Sequence, residues 1–188
     1  MSPTDTGVLD TLGMFDAAFG LPDQMAAAVE LASSVDGLPD ASAVTSILVL
    51  GMGGSGISGD IMALVASEHG RVPVEVSRHY ELPAHVGPHT LVMAVSFSGD
   101  TEETVVAAEA AVAAGAPVVA VTTGGALGGL VSAAGGGVCG LPKGIPLPRA
   151  ALGAVGLTPV VLATRLGLLN DTAAAVDCQH PAMSLPEA

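Results

Sequence analysis

The stretch Ile47-Leu-Val-Leu-Gly-Met-Gly-Gly-Ser-Gly-Ile-Ser-Gly-Asp60 decides the fold. A short apolar run typical of a buried strand passes into a glycine-rich turn, and a serine stands where a helix should begin. Glycine lets a backbone approach a ligand closely, and the open N–H groups at a helix start favour an anion. The stretch therefore predicts a strand, a turn and a helix whose N-terminus suits a phosphate group.

A second loop of similar chemistry is Ser96-Phe-Ser-Gly-Asp-Thr-Glu-Glu-Thr104, which follows a later apolar run. Ser96, Ser98 and Thr101 supply three hydroxyl groups that a phosphomonoester can use together with backbone amides. Asp100 or Thr101 can cap the following helix, and the two glutamates suit the positive end of its dipole. Two such loops on one sheet indicate a phosphate site far more specifically than either loop alone.

Apolar runs alternate with helical segments through the middle of the chain. Strands are predicted at residues 46–50, 72–77, 91–96, 117–122 and 137–141, and helices at 55–69, 101–114 and 127–134. Continuous apolar strands separated by helices predict a layered α/β protein with a parallel sheet covered on both faces. Since ligands of such sheets bind beyond the carboxyl ends of the strands, both loops should border one crevice.

Three parts are expected along the chain. Residues 1–45 are predicted to form a helical arm and linker, residues 46–148 the phosphate-binding domain, and residues 149–188 a C-terminal helix and tail. The predicted helix over 149–169 contains Pro159 and Arg165, which favour a buried helix over a membrane span. Its apolar surface is also expected to support a homodimer.

Charge and cysteine content exclude several classes of protein. The net charge is −13 with five Lys and Arg in 188 residues, so the clustered cations of a nucleic-acid groove are absent. Cys139 and Cys178 stand in no metal-like spacing, and the N-terminus lacks a basic region followed by an apolar run, so we expect no signal peptide. We therefore expect a cytoplasmic protein with reduced cysteines, no metal, and neither nucleic-acid nor membrane partners.

The first loop leaves two alternatives open. Gly51, Gly53 and Gly56 match Gly-x-Gly-x-x-Gly, which also occurs in dinucleotide-binding turns, and Glu75 could bind a ribose. The turn could instead be purely structural. Ser96 and Ser98 favour a phosphomonoester because a dinucleotide fold has no particular need for them.

At this point the residues resemble a known family. Gly51–Asp60 and Ala94–Thr104 resemble the sugar isomerase (SIS) domain, and Arg78–Pro83, Val121–Gly125 and Pro148–Gly153 are similar to segments of the bifunctional phosphoglucose/phosphomannose isomerases. The resemblance runs from about residue 10 to 169 and concerns the N-terminal half of those enzymes. It implies a three-layer αβα sandwich on a five-stranded parallel sheet, flavodoxin-like, that binds a phosphorylated hexose without a cofactor.

The resemblance also implies roles for individual residues. Substrate would be contacted by Gly53, Gly54 and Ser55, and its phosphate would be held by Ser96, Ser98 and Thr101. Arg149 would stabilise the enediolate of an aldose–ketose isomerisation, which suits a fixed guanidinium beside developing negative charge. An ion pair at a helix start or an interface is the alternative role for Arg149.

Part of the family's catalytic machinery does not occur in this sequence. In the resembling enzymes a second SIS domain carries the glutamate base in an Asn-Glu-Asn motif and the ring-opening histidine in an Asn-His-Asn motif, and neither motif is present here. Four residues could in principle substitute for the missing base, although each is expected to be a surface group: His79, Glu102, Glu103 and His180. In the resembling enzymes an aspartate stands at the position of His79. A positioned base contributes roughly 10²–10⁴-fold, so turnover requires one from a partner chain. A non-catalytic sugar-phosphate sensor is the alternative.

Overall fold

One parallel sheet organises the part of the chain that the computed structural model describes, residues 11–170. The strands are β1 (Ser46–Leu50), β2 (Val74–Ser77), β3 (Thr90–Val95), β4 (Val118–Val121) and β5 (Val138–Cys139). Every pairing between neighbouring strands is parallel, in the order β2-β1-β3-β4-β5. The α/β prediction with five parallel strands is therefore confirmed, and the order is that of flavodoxin-like folds.

Six α-helices surround this sheet. They are α1 (Met14–Phe19), α2 (Leu21–Ser33), α3 (Gly53–His69), α4 (Glu102–Ala113), α5 (Gly125–Ala133) and α6 (Leu152–Arg165) among the described residues, with 3₁₀ turns at Ala41–Ala43 and Pro148–Ala150. Within the N-terminal arm, α1 and α2 meet at Gly20. Among the elements predicted within residues 46–141, four boundaries shift by two residues. The starts of α3, β2 and α5 are at Gly53, Val74 and Gly125, and β5 ends at Cys139.

Alternate side chains of each central strand enter two separate cores. Ile47 and Val49 of β1 pack into a core with residues of α2, α3 and α6, whereas Leu48 and Leu50 pack with residues of α4 and α5. This alternation follows from the two-residue period of a strand. The molecule is therefore a three-layer αβα sandwich whose sheet is buried on both faces.

The strand order places the switch point of the sheet between β1 and β3. From β1 the chain runs outward to β2 and then returns to the other side of β1, so β1 and β3 are neighbours in register, with Leu50 opposite Ala94. The connections that leave β1 and β3 run to α3 and α4, which lie on opposite faces of the sheet. A crevice opens between such connections.

The C-terminal helix differs from its prediction. It begins at Leu152 after a separate 3₁₀ turn at Pro148–Ala150 and ends at Arg165, where residues 149–169 were predicted as one helix. Most residues of α6 are buried, as expected, because α2 and α3 pack against this helix. The absence of a side chain at Gly156 leaves room for Ile61 of α3. Most apolar residues of this helix are covered within the chain, whereas Leu152 is exposed, and a dimer contact through this helix stays a prediction.

The expectations for membrane spans, metal sites and cysteines can be compared with the structure of residues 11–170. No helix within residues 11–170 is long and apolar enough to span a bilayer, and no group of three potential metal ligands occurs there. Cys139 is a free, buried thiol, and burial raises its pKa to about 11 against a smaller opposing effect of Arg165. Cys178, His180 and the predicted tail after Asn170 lie outside the described residues, and the three-part division stays a prediction.

Candidate functional site

The two glycine- and serine-containing loops meet at the switch point. The backbone N–H of Phe97, in the loop after β3, donates to Ser55 Oγ, at the start of α3, over 3.3 Å. Ser55 is buried beneath this contact, although 42 residues separate the two partners in sequence. The two loops are therefore neighbours at one edge of the sheet, as expected.

Two uncapped helix N-termini open at this crevice. Met52 stands at the N-cap of α3 and Thr101 at the N-cap of α4, and neither side chain caps its helix. The first backbone N–H groups of an α-helix have no partner within the helix, so both ends can donate to an anion. The prediction that Asp100 or Thr101 caps α4 is wrong, because both side chains bond elsewhere.

Hydroxyl groups inside the second loop fix its shape. Ser96 is fully buried, and its Oγ lies 2.8 Å from Thr101 Oγ1 and accepts the Gly99 N–H over 3.0 Å. Ser98 is exposed, and its Oγ accepts the Asp100 N–H over 3.2 Å. The structure thus separates the hydroxyls that were predicted to act together. Ser96 and Thr101 bond each other within the loop, whereas Ser98 stands at its surface.

A third loop, after β4, completes this edge of the sheet. The Asp100 carboxylate accepts the Ala126 N–H over 2.9 Å and so caps α5, the helix that follows β4. Thr123 donates both its N–H and its hydroxyl to the Phe97 carbonyl. No local sequence pattern predicts this cap, since it joins residues 26 positions apart that only the sheet order brings together.

Two glycines of the first loop are needed for different structural reasons. Gly53 has φ +50°, a left-handed backbone that side chains rarely tolerate. A Cβ on Gly56 would lie 2.8 Å from both the Gly51 carbonyl oxygen and Arg78 Nε. The Gly-x-Gly-x-x-Gly spacing is thus explained without a dinucleotide. Glu75, the proposed ribose ligand, lies within β2 and pairs with His85 at 3.2 Å, so no observation favours that alternative.

Arg149 lies beside the first loop. Its Cα and the Pro148 carbonyl oxygen are both 3.8 Å from the point where a Cβ on Gly54 would stand. The Arg149 side chain is exposed and has no hydrogen-bond or ion-pair partner within residues 11–170. The structure therefore places the Arg149 backbone beside Gly54, and within residues 11–170 the side chain forms no ion pair.

Two further residues, Arg78 and Tyr80, follow β2 at the same edge and were not predicted as site residues. Arg78 donates to the Gly56 carbonyl over 3.1 Å and pairs with Asp60 at 2.5 Å, which holds it against the first turns of α3. Tyr80 lies near the start of α4, and desolvation, followed by the charges of Glu102 and Glu103, raises its pKa. Their position just after a strand that ends at the ligand edge was the available signal.

The three candidate substitutes for a general base that lie within residues 11–170 are exposed or partly exposed. His79 and Glu102 are exposed, and Glu103 is partly exposed and faces Tyr80. His79 has no hydrogen-bond or ion-pair partner within the described range. The open backbone amides at the starts of α3 and α4 are the groups of this arrangement that suit an anion.

Comparisons with known proteins agree with this geometry. Residues 41–126 match the model of the SIS domain. The chain is 38% identical over 157 residues to a bifunctional phosphoglucose/phosphomannose isomerase of Caldicellulosiruptor bescii, an alignment that covers 84% of this chain and 46% of that protein. The chain thus spans about half the length of this curated relative.

Solved structures with the same fold include two sugar-phosphate proteins. The C-terminal domain of glucosamine-fructose-6-phosphate aminotransferase from Francisella tularensis superposes with a TM-score of 0.66 at 16% identity, covering 89% of this chain and 53% of that one. The Vibrio vulnificus NanR protein, in complex with ManNAc-6P, superposes with a TM-score of 0.61 at 22% identity, covering 81% and 61%. At these identities the likeness concerns the fold alone.

Proposed function

Because this chain contains a SIS domain, we propose that it binds a phosphorylated hexose with the phosphate between the β1–α3 and β3–α4 loops. The observation that carries the proposal is the hydrogen bond from Phe97 N–H to Ser55 Oγ, which holds both loops at one crevice. Similarity to phosphoglucose/phosphomannose isomerases supports a hexose 6-phosphate as the ligand class.

Local dipoles and hydroxyls supply the attraction in this proposal, since the chain carries a net charge of −13. Each helix N-terminus is equivalent to roughly half a positive charge, and the open amides of α3 and α4 are aimed donors. Gly53, Gly54 and Ser55 would contact substrate from the first loop, and Ser98 with the amides of the second loop would hold phosphate oxygens. Ser96 and Thr101 would shape that loop from below or turn toward the phosphate when it binds.

We propose in addition that Arg149 stabilises the enediolate of an aldose–ketose isomerisation. An arginine whose backbone lies beside Gly54 suits the negative charge that develops on the sugar's carbonyl oxygen when a proton leaves the adjacent carbon. The proton transfer then needs a general base from a second chain, and in a cytoplasmic homodimer a carboxylate or an imidazole of the second copy would supply it. The scarcity of Lys and Arg supports a site without nucleic-acid partners.

Calorimetric titration with glucose 6-phosphate, mannose 6-phosphate and fructose 6-phosphate tests the binding proposal. Ser98→Ala removes an exposed hydroxyl, so we expect its affinity to fall about tenfold with an unchanged melting temperature, because a hydrogen bond to a charged group contributes roughly 1.5–3 kcal/mol. Ser132→Ala, at an exposed serine on α5, is the matched control and should bind like the parent protein. Equal affinities of parent and Ser98→Ala, or equal binding of free glucose, would contradict the phosphate assignment.

A coupled assay of sugar-phosphate interconversion tests the catalytic proposal separately. Turnover that is lost in Arg149→Met while binding persists would support the enediolate role. Binding of hexose 6-phosphates without any turnover would leave a binding module and remove the isomerase proposal.

A further inference from the structure

One buried amide side chain connects the N-terminal arm to the turn that carries Arg149. Gln24, in α2, is 8% exposed, and its Nε2 donates to the Ala150 carbonyl over 2.8 Å and to the Ala17 carbonyl over 3.1 Å. Gln24 and Ala150 are 126 positions apart in sequence. A single amide group therefore ties together α1, α2 and the 3₁₀ turn at Pro148–Ala150.

This turn sets the position of Arg149 at the crevice. Its internal hydrogen bonds run from Ala150 N–H to the Leu147 carbonyl and from Ala151 N–H to the Pro148 carbonyl, and neither fixes the turn relative to the rest of the molecule. The Arg149 side chain has no partner within residues 11–170 that could orient it. The bond from Gln24 thus anchors the backbone next to the guanidinium.

The unsatisfied half of the Gln24 amide argues against a purely stabilising role. Its Oε1 is buried and has no hydrogen-bond partner in the described part of the chain. A buried unpartnered acceptor costs about 1–3 kcal/mol, which an apolar side chain of the same shape would avoid. Because both partners of the Gln24 side chain are carbonyl oxygens, the amide nitrogen must face them. The hydrogen-bond donor is therefore the part of the side chain that is needed at this position.

We propose that Gln24 is a positioning residue, which holds the Arg149 turn against the sugar-phosphate crevice and makes the N-terminal arm part of the site. Gln24 does not touch the ligand and acts through the Ala150 carbonyl. The ligand named here rests on the proposed function, whereas the connection from Gln24 to Arg149 does not.

A double-mutant cycle on the full chain tests this role, with glucose 6-phosphate as the probe. Gln24→Met keeps the size of the side chain and removes its donor, and Arg149→Met removes the guanidinium. We expect Gln24→Met alone to weaken binding about three- to tenfold, and to weaken it no further when Arg149 is already Met, since coupled residues are non-additive. Glu30→Met, at an exposed position of the same helix, should leave affinity unchanged.

Stability follows a different pattern in the same four proteins. Gln24→Met should change the melting temperature by the same amount with and without Arg149, because the packing of α2 does not depend on the guanidinium. Affinity losses that add in the double variant would show that Gln24 acts on the fold in general and would overturn the proposal. Unchanged affinity in Gln24→Met would overturn it as well.

A nuclear magnetic resonance measurement decides the positioning without any ligand. The chain has four arginines, so the Nε–Hε signal of Arg149 can be assigned from Arg149→Met. Gln24→Met should shift that signal and the amides of Ala150 and Ala151, and leave the Arg78 signal in place. If the parent protein binds no hexose phosphate, the proposed function fails, and this spectrum still tests the inference. Unmoved Arg149 and Ala150 signals would refute it.

Discussion

Asp100 offers the sharpest test of the loop arrangement, because sequence and structure assign it to different helices. From the sequence, Asp100 or Thr101 caps α4, which begins two residues after Asp100. In the structure the carboxylate of Asp100 instead accepts the Ala126 N–H of α5 over 2.9 Å. Replacing Asp100 by Ala should therefore loosen α5 and leave α4 as it is.

The expected cost follows from the contacts that are lost. Truncating an aspartate cap to alanine costs about 1 kcal/mol, with a range of roughly 0.5–2, and the N-cap Gly124 of α5 offers no side chain in its place. The lost charge at the helix start adds roughly 0.3–1 kcal/mol at low salt for such an exposed group. A melting temperature lower by about 2–6 °C is expected for a chain of this size. Asp100→Asn keeps an acceptor oxygen and should recover most of the loss.

Hydrogen exchange of single amides locates the effect. In Asp100→Ala the amide of Ala126 should exchange faster, and the amides of Glu103 and Thr104 in the first turn of α4 should not change. Asp40→Ala is the matched control, since Asp40 caps only its own 3₁₀ turn through Ser42. It should lower stability without any change at Ala126. Faster exchange in the first turn of α4, with Ala126 unaffected, would refute the cross-loop cap.

Three further predictions concern single groups. Gly99→Ala should lower the free energy of unfolding, measured with denaturant, by more than about 2 kcal/mol, because φ is +81° and the added Cβ would meet a backbone carbonyl oxygen at 1.9 Å. Its control is Gly129→Ala, in open space on α5, which should stabilise the protein instead. Equal effects of the two substitutions would contradict the close packing of the loops. The second prediction concerns the buried thiol of Cys139, measured at pH 8 in a Cys178→Ser variant. Because burial raises its pKa from 9.0 to about 11, the native thiol should react with a thiol reagent about 100-fold more slowly than a free cysteine. A reaction rate like that of the unfolded chain would be inconsistent with this burial. Tyr80 is the one tyrosine and the chain has no tryptophan, so its titration can be followed in the near ultraviolet. In Glu103→Gln its raised pKa should fall and yet stay above 10, since desolvation is the larger cause. An unchanged pKa would contradict the contact between Tyr80 and Glu103.

The apolar runs predicted the strands well because each central strand is buried on both faces and reads as continuous hydrophobic sequence. Element ends were less well predicted. The apolar residues from 149 onward indicated one helix, yet Ala150 and Ala151 form the end of a 3₁₀ turn, and the α-helix starts at Leu152. Helical periodicity does not distinguish the two kinds of turn over so few residues.

Local chemistry predicted which residues line the candidate site, and it could not predict their partners. Ser55 and Ser96 were singled out by their neighbours in sequence, and the strand order then placed them at one crevice. The bond between Ser96 and Thr101 depends on how their loop folds back, and the role of Gln24 depends on the packing of a distant helix. Polar residues in amphipathic helices carry no sign of such contacts.

By itself, the sequence determined the parallel α/β class and the two loops rich in glycine and hydroxyl groups, because strand burial and turn chemistry are properties of neighbouring residues. Only the tertiary structure decided which helix Asp100 caps, that the C-terminal helix is covered by α2 and α3, and that the arm reaches the Arg149 turn. The physical reason is distance along the chain. A hydrogen bond between residues 26 or 126 positions apart exists only once the sheet order and the packing of the helices bring them together.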